Sequence, residues 1–403
     1  VFFQFFAMLL QCTRYLILGV TYLGLVWGNF PGLRMNRPTI ALVGSAFLIA
    51  LGVLDLPEGW QAIDPGTIIF LLSLMIVNAN LSYAGFFQLA LASLLRLTRS
   101  PFGLLVILTF GGGILSAFFL NDTLALVFTP LTLGLTQALG LNPIPYLLAI
   151  AGATNLGSVA TLSGNPQNIL VGTFSGIGYL KFAAVLTPVA LAGLIVQVGL
   201  LWWLYPEVRS GAAGDNFTLP RYRLHKPLLT KTLVITTGLL IAFVVGVSLG
   251  KAALVAAALL LITRRVKPER VLKQVDWNLL VLFSGLFILT EATQKLNLLQ
   301  AFTGWVGTPA GLLGTIAILS NIISNVPAVL LLEPLIGRED TRAWLLLAAG
   351  STLAGNLTLF GAVANLIVVE AAAKLGYKLS FWEHLRFGLP LTAITLLMAY
   401  FWI

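Results

Sequence analysis

The chain has 403 residues, 58% hydrophobic and only 9% charged, with a formal net charge of +9 and a mean hydropathy of +0.97. A water-soluble protein carries roughly a quarter of its residues as Asp, Glu, Lys and Arg, so this composition excludes a soluble fold and defines a polytopic membrane protein. One cysteine and two histidines, with no HExxH or CxxC spacing, exclude a disulfide framework and a Cys-rich metal site and leave little for zinc chemistry. Basic loops flanking the membrane account for the positive charge without nucleic acid.

A bilayer-crossing helix needs roughly 20 apolar residues. In chain order such runs predict spans at 5–27, 38–55, 66–95, 145–172, 182–205, 229–249, 252–266, 277–300, 343–370 and 382–403. Two further runs, 102–131 and 309–336, are broken in the middle by polar residues and read as hairpins that enter the membrane and return to the same side. With ten crossings and two such hairpins, 17 of the basic residues collect on one face, among them Arg99, Arg221, Arg223, Arg264, Arg265, Lys267 and Arg270. Five fall on the other, and Arg14 falls inside the first span, which therefore starts later than drawn. Positive charge marks the cytoplasmic face, so the polar stretch 206–228 becomes a cytoplasmic linker.

Polar and Pro/Gly matches recur in one order along the chain. Ile63-Asp64 returns as Val275-Asp276, and Ser100-Pro101 with Gly103 returns as Thr308-Pro309 with Gly311. Asn121 with Pro130 returns as Asn325 with Pro334, and Thr161, Gly164 and Asn168 return as Thr358, Gly361 and Asn365. The fold predicted is an all-α polytopic membrane protein of two repeats, 1–205 and 229–403. Each holds five transmembrane helices, a re-entrant helical hairpin and an unwound helix. An odd number of crossings inverts the second copy, and inverted repeats place a substrate site near the membrane midplane and permit alternating access.

Broken helices survive in a bilayer only where protein or a cavity satisfies the freed backbone groups. Four breaks are predicted. Two are hairpin tips, at Leu120-Asn121-Asp122-Thr123 and at Ser324-Asn325-Val326-Pro327. A third runs from Thr154-Asn155 through Thr161-Leu162-Ser163-Gly164-Asn165-Pro166-Gln167-Asn168, and its partner spans Ser351-Thr352, Gly355-Asn356, Thr358 and Gly361 to Asn365. Helix N-termini at such breaks attract anions, and C-terminal carbonyls coordinate cations. Substrate contacts are therefore assigned to Asn121, Asp122, Thr123, Asn165, Pro166, Asn168, Ser324, Asn325, Thr358 and Asn365. The coupling ion, H⁺ or Na⁺, is assigned to Asp122, Asn121, Ser163, Gly164, Asn325 and Gly361. Intramembrane carboxylates are functional candidates by default, and Asp122, at a tip, is the strongest. Glu291 is expected to pair with Lys295 four residues on.

These motifs, Asn121-Asp122-Thr123 with Thr129-Pro130, Gly164-Asn165-Pro166-Gln167-Asn168 and Ser324-Asn325-Val326-Pro327, resemble the ion transporter superfamily over nearly the whole chain. That group holds arsenite permeases of the ArsB type, NhaD-type sodium/proton antiporters, citrate-type carriers and divalent-anion:sodium symporters. The Asn-Asp pair at the first tip looks closer to the arsenite-permease type, whose substrate is a neutral or weakly charged oxyacid, than to the divalent-anion symporters. The resemblance implies a homodimer and an elevator-like movement. The function expected is a secondary active transporter of a small oxyanion or carboxylate in the inner or plasma membrane, coupled to H⁺ or Na⁺. The chain is not expected to be an enzyme, and it is expected to use no cofactor and no metal except Na⁺. A sodium/proton antiporter without an anionic substrate is the alternative.

Overall fold

The structure, a computed structural model, describes residues 2–28, 30, 32–98, 100–209, 224–263 and 265–403. Most of the linker, 210–223, lies outside the described residues, as do Arg99, Arg221, Arg223 and Arg264. Hydrocarbon offers backbone groups no hydrogen bonds, so apolar runs fold as helices. Among the described residues there is no β-strand.

Ten helices form a first series: α1 Phe2–Trp27, α2 Arg37–Ala50, α3 Leu56–Ala62, α4 Pro65–Ala84, α5 Phe86–Leu95, α6 Pro101–Phe118, α7 Asn121–Ala138, α8 Ile144–Ser158, α9 Pro166–Ser175 and α10 Tyr179–Leu204. A second series follows: α11 Lys226–Val244, α12 Leu249–Leu261, α13 Pro268–Leu272, α14 Trp277–Lys295, α15 Gln300–Val306, α16 Pro309–Ile323, α17 Asn325–Leu332, α18 Thr341–Ala354, α19 Val363–Lys374 and α20 Phe381–Trp402. Six of the described helices are long and apolar enough to cross a membrane: Gln4–Trp27, Pro65–Ala84, Pro101–Phe118, Tyr179–Leu204, Lys226–Val244 and Phe381–Trp402.

The recurring polar residues start helices. Asp64 accepts from Thr67 N–H at 2.6 Å and Asp276 from Leu279 N–H at 3.1 Å. Ser100 accepts from Gly103 N–H at 3.0 Å and Thr308 from Gly311 N–H at 3.1 Å, each with proline at the first helical position. A side-chain oxygen here satisfies an N–H that the helix leaves free, and proline there has none to lose.

Packing partners exchange between the two series. Helix α2 packs on α14 and α12 on α4; α7 packs on α19 and α17 on α9; α8 packs on α19 and α18 on α9. Within each series α6 lies along α8 and α16 along α18, while α10 and α20 flank α8 and α18. Close approach in the first of these bundles rests on glycine, since a Cβ on Gly157 would sit 2.0 Å from the Gly113 carbonyl oxygen. Hydrogen bonds reinforce it: Ser116 Oγ donates to Thr154 O at 2.6 Å, and Gln197 Nε2 donates to Ala149 O at 2.9 Å.

Three expectations are corrected. The run 66–95 is not one helix, because Gly85, at φ +82°, ends α4 in the left-handed region open to glycine and starts α5. Arg14 does not delay the first helix: it lies within α1 and donates to Leu51 O at 2.7 Å and Gly52 O at 3.1 Å, the open carbonyls where α2 ends. Lys295 pairs with Glu58 on α3 rather than with Glu291. That ammonium, together with the Asp55 N–H, holds the exposed Glu58 carboxyl below the usual carboxylate range.

Candidate functional site

All four predicted interruptions are breaks between helices. Residues 119–120 separate α6 from α7, Ser324 separates α16 from α17, and non-helical segments at 159–165 and 355–362 separate α8 from α9 and α18 from α19. Breaking a helix frees N–H and C=O groups that cost several kcal/mol apiece if left bare in hydrocarbon. Side-chain amides satisfy many of them here.

The two unwound segments are tied by the same device. Asn168 Nδ2 donates to Ser158 O and Thr161 O, both at 2.9 Å. Asn365 Nδ2 donates to Gly355 O at 2.8 Å and Thr358 O at 3.0 Å. In each case one amide on the first turn of the following helix clasps the carbonyls ten and seven residues back, drawing the loop closed. Glycine is required inside the clasp: a Cβ on Gly164 would sit 2.4 Å from Ser158 O, and one on Gly361 would sit 2.8 Å from Gly355 O.

Asn155 is the hub between the series. Its Nδ2 donates to Asn356 Oδ1 at 2.9 Å and Asn365 Oδ1 at 3.1 Å, and its Oδ1 accepts from Asn121 Nδ2 at 3.4 Å. A second bridge runs through Thr352, whose Oγ1 accepts from Asn165 Nδ2 at 3.2 Å and Gln167 Nε2 at 3.1 Å. Asn325 faces two carbonyls and one amide donor, which fixes its orientation. Its Nδ2 donates to Ser351 O at 2.9 Å and Gly361 O at 3.1 Å, and its Oδ1 accepts from Gln167 Nε2 at 3.2 Å. The first tip makes a related contact, Asn121 N–H donating to Gly164 O at 3.3 Å. Asn121 and Asn325 are only 6% and 7% exposed, and Asn155, Asn165, Gln167, Asn168, Thr352, Asn356 and Asn365 are more deeply buried still.

Among the described residues no Lys, Arg, Asp or Glu side chain takes part in this network. Its polarity comes instead from amides, hydroxyls and the N-terminal ends of α7, α9, α17 and α19, which converge on it. Three of those ends, on α7, α17 and α19, have no side-chain cap. Each helix N-terminus carries roughly half a positive charge. Two buried amide atoms, Asn356 Nδ2 and Asn168 Oδ1, have no partner among the described residues.

Of the predicted site residues, Asn121, Gly164, Asn165, Asn168, Asn325, Gly361 and Asn365 meet in this network. Pro166 opens α9 beside it. Thr358 Oγ1 donates to Asn321 Oδ1 at 2.9 Å, at the margin. Ser163 turns the other way, its hydroxyl 3.1 Å from the Tyr179 hydroxyl and 3.3 Å from that of Thr161, which is bonded to Ala117 O. Asp122 and Thr123 are half-buried with no side-chain hydrogen bond among the described residues, and Asp122 lies within electrostatic reach of Asp276. Ser324 holds φ +78°, ψ 161° without capping α17.

Asn155, Gln167, Thr352 and Asn356 carry the cross-links, yet sequence reasoning did not assign them to the site. The signal was present, since each sits inside a predicted break. His384 Nε2 lies 3.0 Å from Asn356 O and holds the backbone of the second unwound segment from α20.

The Ser324 geometry is a region of backbone space that is essentially glycine's own, and a side chain held there costs about 1–3 kcal/mol. Ser324→Gly is expected to relieve more than the roughly 0.5–1 kcal/mol of chain entropy that glycine adds. Its thermal denaturation in detergent should therefore shift upward, and that of Ser324→Ala should not.

Long apolar helices around a closed, uncharged polar centre define an integral, multi-pass membrane transporter. The citrate transporter family, CitMHS, matches residues 22–340, and the chain belongs to that family. An uncharacterized transporter of Mycobacterium tuberculosis is 30% identical over 403 residues, covering 92% of this chain and 94% of the relative. The silicon efflux transporter of Oryza sativa subsp. japonica is 29% identical over 455 residues, covering 93% and 94%. Among solved structures, Neisseria gonorrhoeae MtrF superposes with a TM-score of 0.60 at 11% identity, covering 98% of this chain and 94% of that one, a likeness of fold.

Proposed function

We propose that the chain is a secondary active transporter of a small, uncharged, hydroxyl-rich oxyacid of the arsenous or silicic type, coupled to H⁺ or Na⁺. The observation that carries this reading is the network itself: amides and hydroxyls from both series, four helix N-termini and no fixed charge. A tricarboxylate would bring several charges into a buried site with no Lys or Arg to meet them, a larger desolvation cost than a neutral ligand carries. A neutral oxyacid presents O–H donors and oxygen acceptors in equal measure, matching side chains that are donor and acceptor at once. The Asn121–Asn155 bond, at 3.4 Å, is too long to be strong and is readily traded for a ligand. The unpartnered Asn356 Nδ2 and Asn168 Oδ1 would each gain a bond.

The exchange of packing partners supports two inverted repeats, 1–205 and 229–403, related through the network. It also supports an elevator in which the bundle of α6–α10 and α16–α20 slides against α1–α4 and α11–α14. Asp122, beside the site and with no side-chain hydrogen bond among the described residues, is the coupling carboxylate in this reading.

A thermal-shift series on the purified protein tests it, with arsenite, silicic acid, citrate and sulfate, each with and without Na⁺. Ligand held at about 100 times its dissociation constant stabilises the folded state by roughly 2.7 kcal/mol. Arsenite and silicic acid should raise the melting temperature and citrate should not; a shift with citrate alone would overturn the substrate class. In proteoliposomes Asp122→Asn should retain oxyacid binding and lose gradient-driven uptake. Proton release on adding Na⁺ without any oxyacid would favour the antiporter instead.

A further inference from the structure

A second polar feature shares no residue with the network. Where the C-terminal end of α4, the N-terminal end of α11 and the segment after α12 meet, a groove of about 800 Å³ is lined by His225, Arg265, Lys267 and Arg270 beside the apolar Leu228 and Val266. Helices α4 and α11 are long enough to cross the membrane, so a groove at their ends lies at the level of the lipid headgroups.

The three cations, all exposed, occupy six residues of chain that also hold one carboxylate, Glu269, and none forms an ion pair with it or with another carboxylate among the described residues. Their position is fixed, because the Tyr83 hydroxyl donates to Arg270 O at 3.0 Å and moors α13 to the end of α4. His225 Nδ1 accepts from Leu228 N–H at 3.3 Å, so its ring proton sits on Nε2, a further donor. Like charges held this close repel, and an anion relieves them. The ligand must also have an apolar part. Beside the groove Ile262 is 74% exposed, and Val255 and Leu259 continue an exposed apolar surface along α12, the surface that acyl chains would cover.

We infer that this groove binds a phosphate group, and that its source is an acidic phospholipid of the surrounding leaflet rather than a free phosphate. The inference does not depend on the transported substrate. Basic pockets between transmembrane helices recognise acidic headgroups, each Lys or Arg adding about a factor of five in affinity near the surface.

The test uses the full chain in detergent, with melting temperature and native mass spectrometry read against phosphatidylglycerol, phosphatidylcholine and inorganic phosphate at equal concentration. Phosphatidylglycerol should raise the melting temperature and remain bound in the gas phase; phosphatidylcholine should do neither. In the triple variant Arg265→Gln, Lys267→Gln, Arg270→Gln, phosphatidylglycerol binding should fall on the order of a hundredfold. The single variant Lys267→Gln should show a proportionate loss even if the triple variant does not fold. Equal effects of the two lipids, or full phosphatidylglycerol binding by the variants, would overturn the site. An equal shift from inorganic phosphate would overturn the lipid as its source.

Discussion

Asn155→Leu is expected to reduce oxyacid transport in proteoliposomes by about a hundredfold or more at low substrate. The substitution keeps the branched shape and the number of side-chain heavy atoms and removes three hydrogen bonds together. Asn356 Oδ1 and Asn365 Oδ1 each lose their one partner among the described residues, and Asn121 Nδ2 loses its own. A buried polar atom left unpaired costs about 1–3 kcal/mol, and a loss of roughly 2.7 kcal/mol from the transition state is a hundredfold in rate. Asn80→Leu is the control. Asn80 is as deeply buried, but among the described residues its Nδ2 donates only to Ile76 O one turn back in α4, and its Oδ1 has no partner. Replacing it removes an unsatisfied atom and should leave transport per folded molecule near that of the parent. Equal loss in both variants would show that buried amides matter only for folding.

Gly157→Ala is expected to give the largest loss of stability. The added methyl would sit 2.0 Å from Gly113 O and 2.5 Å from Gly113 Cα, and backbone on both sides cannot rotate away. Helices α6 and α8 must separate, and forced expansion of a packed core costs about 1–3 kcal/mol or more. The shift would also displace Asn155 and Ser158, its neighbours on α8, so transport should fall with stability. Gly112→Ala, whose Cβ would lie 3.8 Å from the Ala153 methyl, should be tolerated. Expression and melting temperature of the two variants in one detergent separate these outcomes.

The breaks were legible because their residues are costly in lipid for any other purpose. Asn165-Pro166 caps and opens a helix inside an apolar run, and the Asn121 and Asn325 tips interrupt runs that are otherwise apolar. The tie made by Asn168 and Asn365 was visible as a repeated residue, though not as a clasp on carbonyls ten and seven residues back. What could not be read was direction. A helix buried among other helices in lipid is apolar on every side, so periodicity does not say which way Asn155 or Asn356 points. The same loss of periodicity hid the turn at Gly85, which lies inside a continuous apolar run. Lys295 reaching Glu58 rather than Glu291 is tertiary proximity across 237 residues, which local spacing cannot supply.

The most direct test of a shared polar chamber is anomalous scattering from arsenic. Crystals grown with arsenite and measured above the arsenic absorption edge should show one peak per chain, within hydrogen-bond reach of Asn155, Asn356 and Gln167. A peak bounded by residues of one series alone, or no peak among these side chains, would contradict the account.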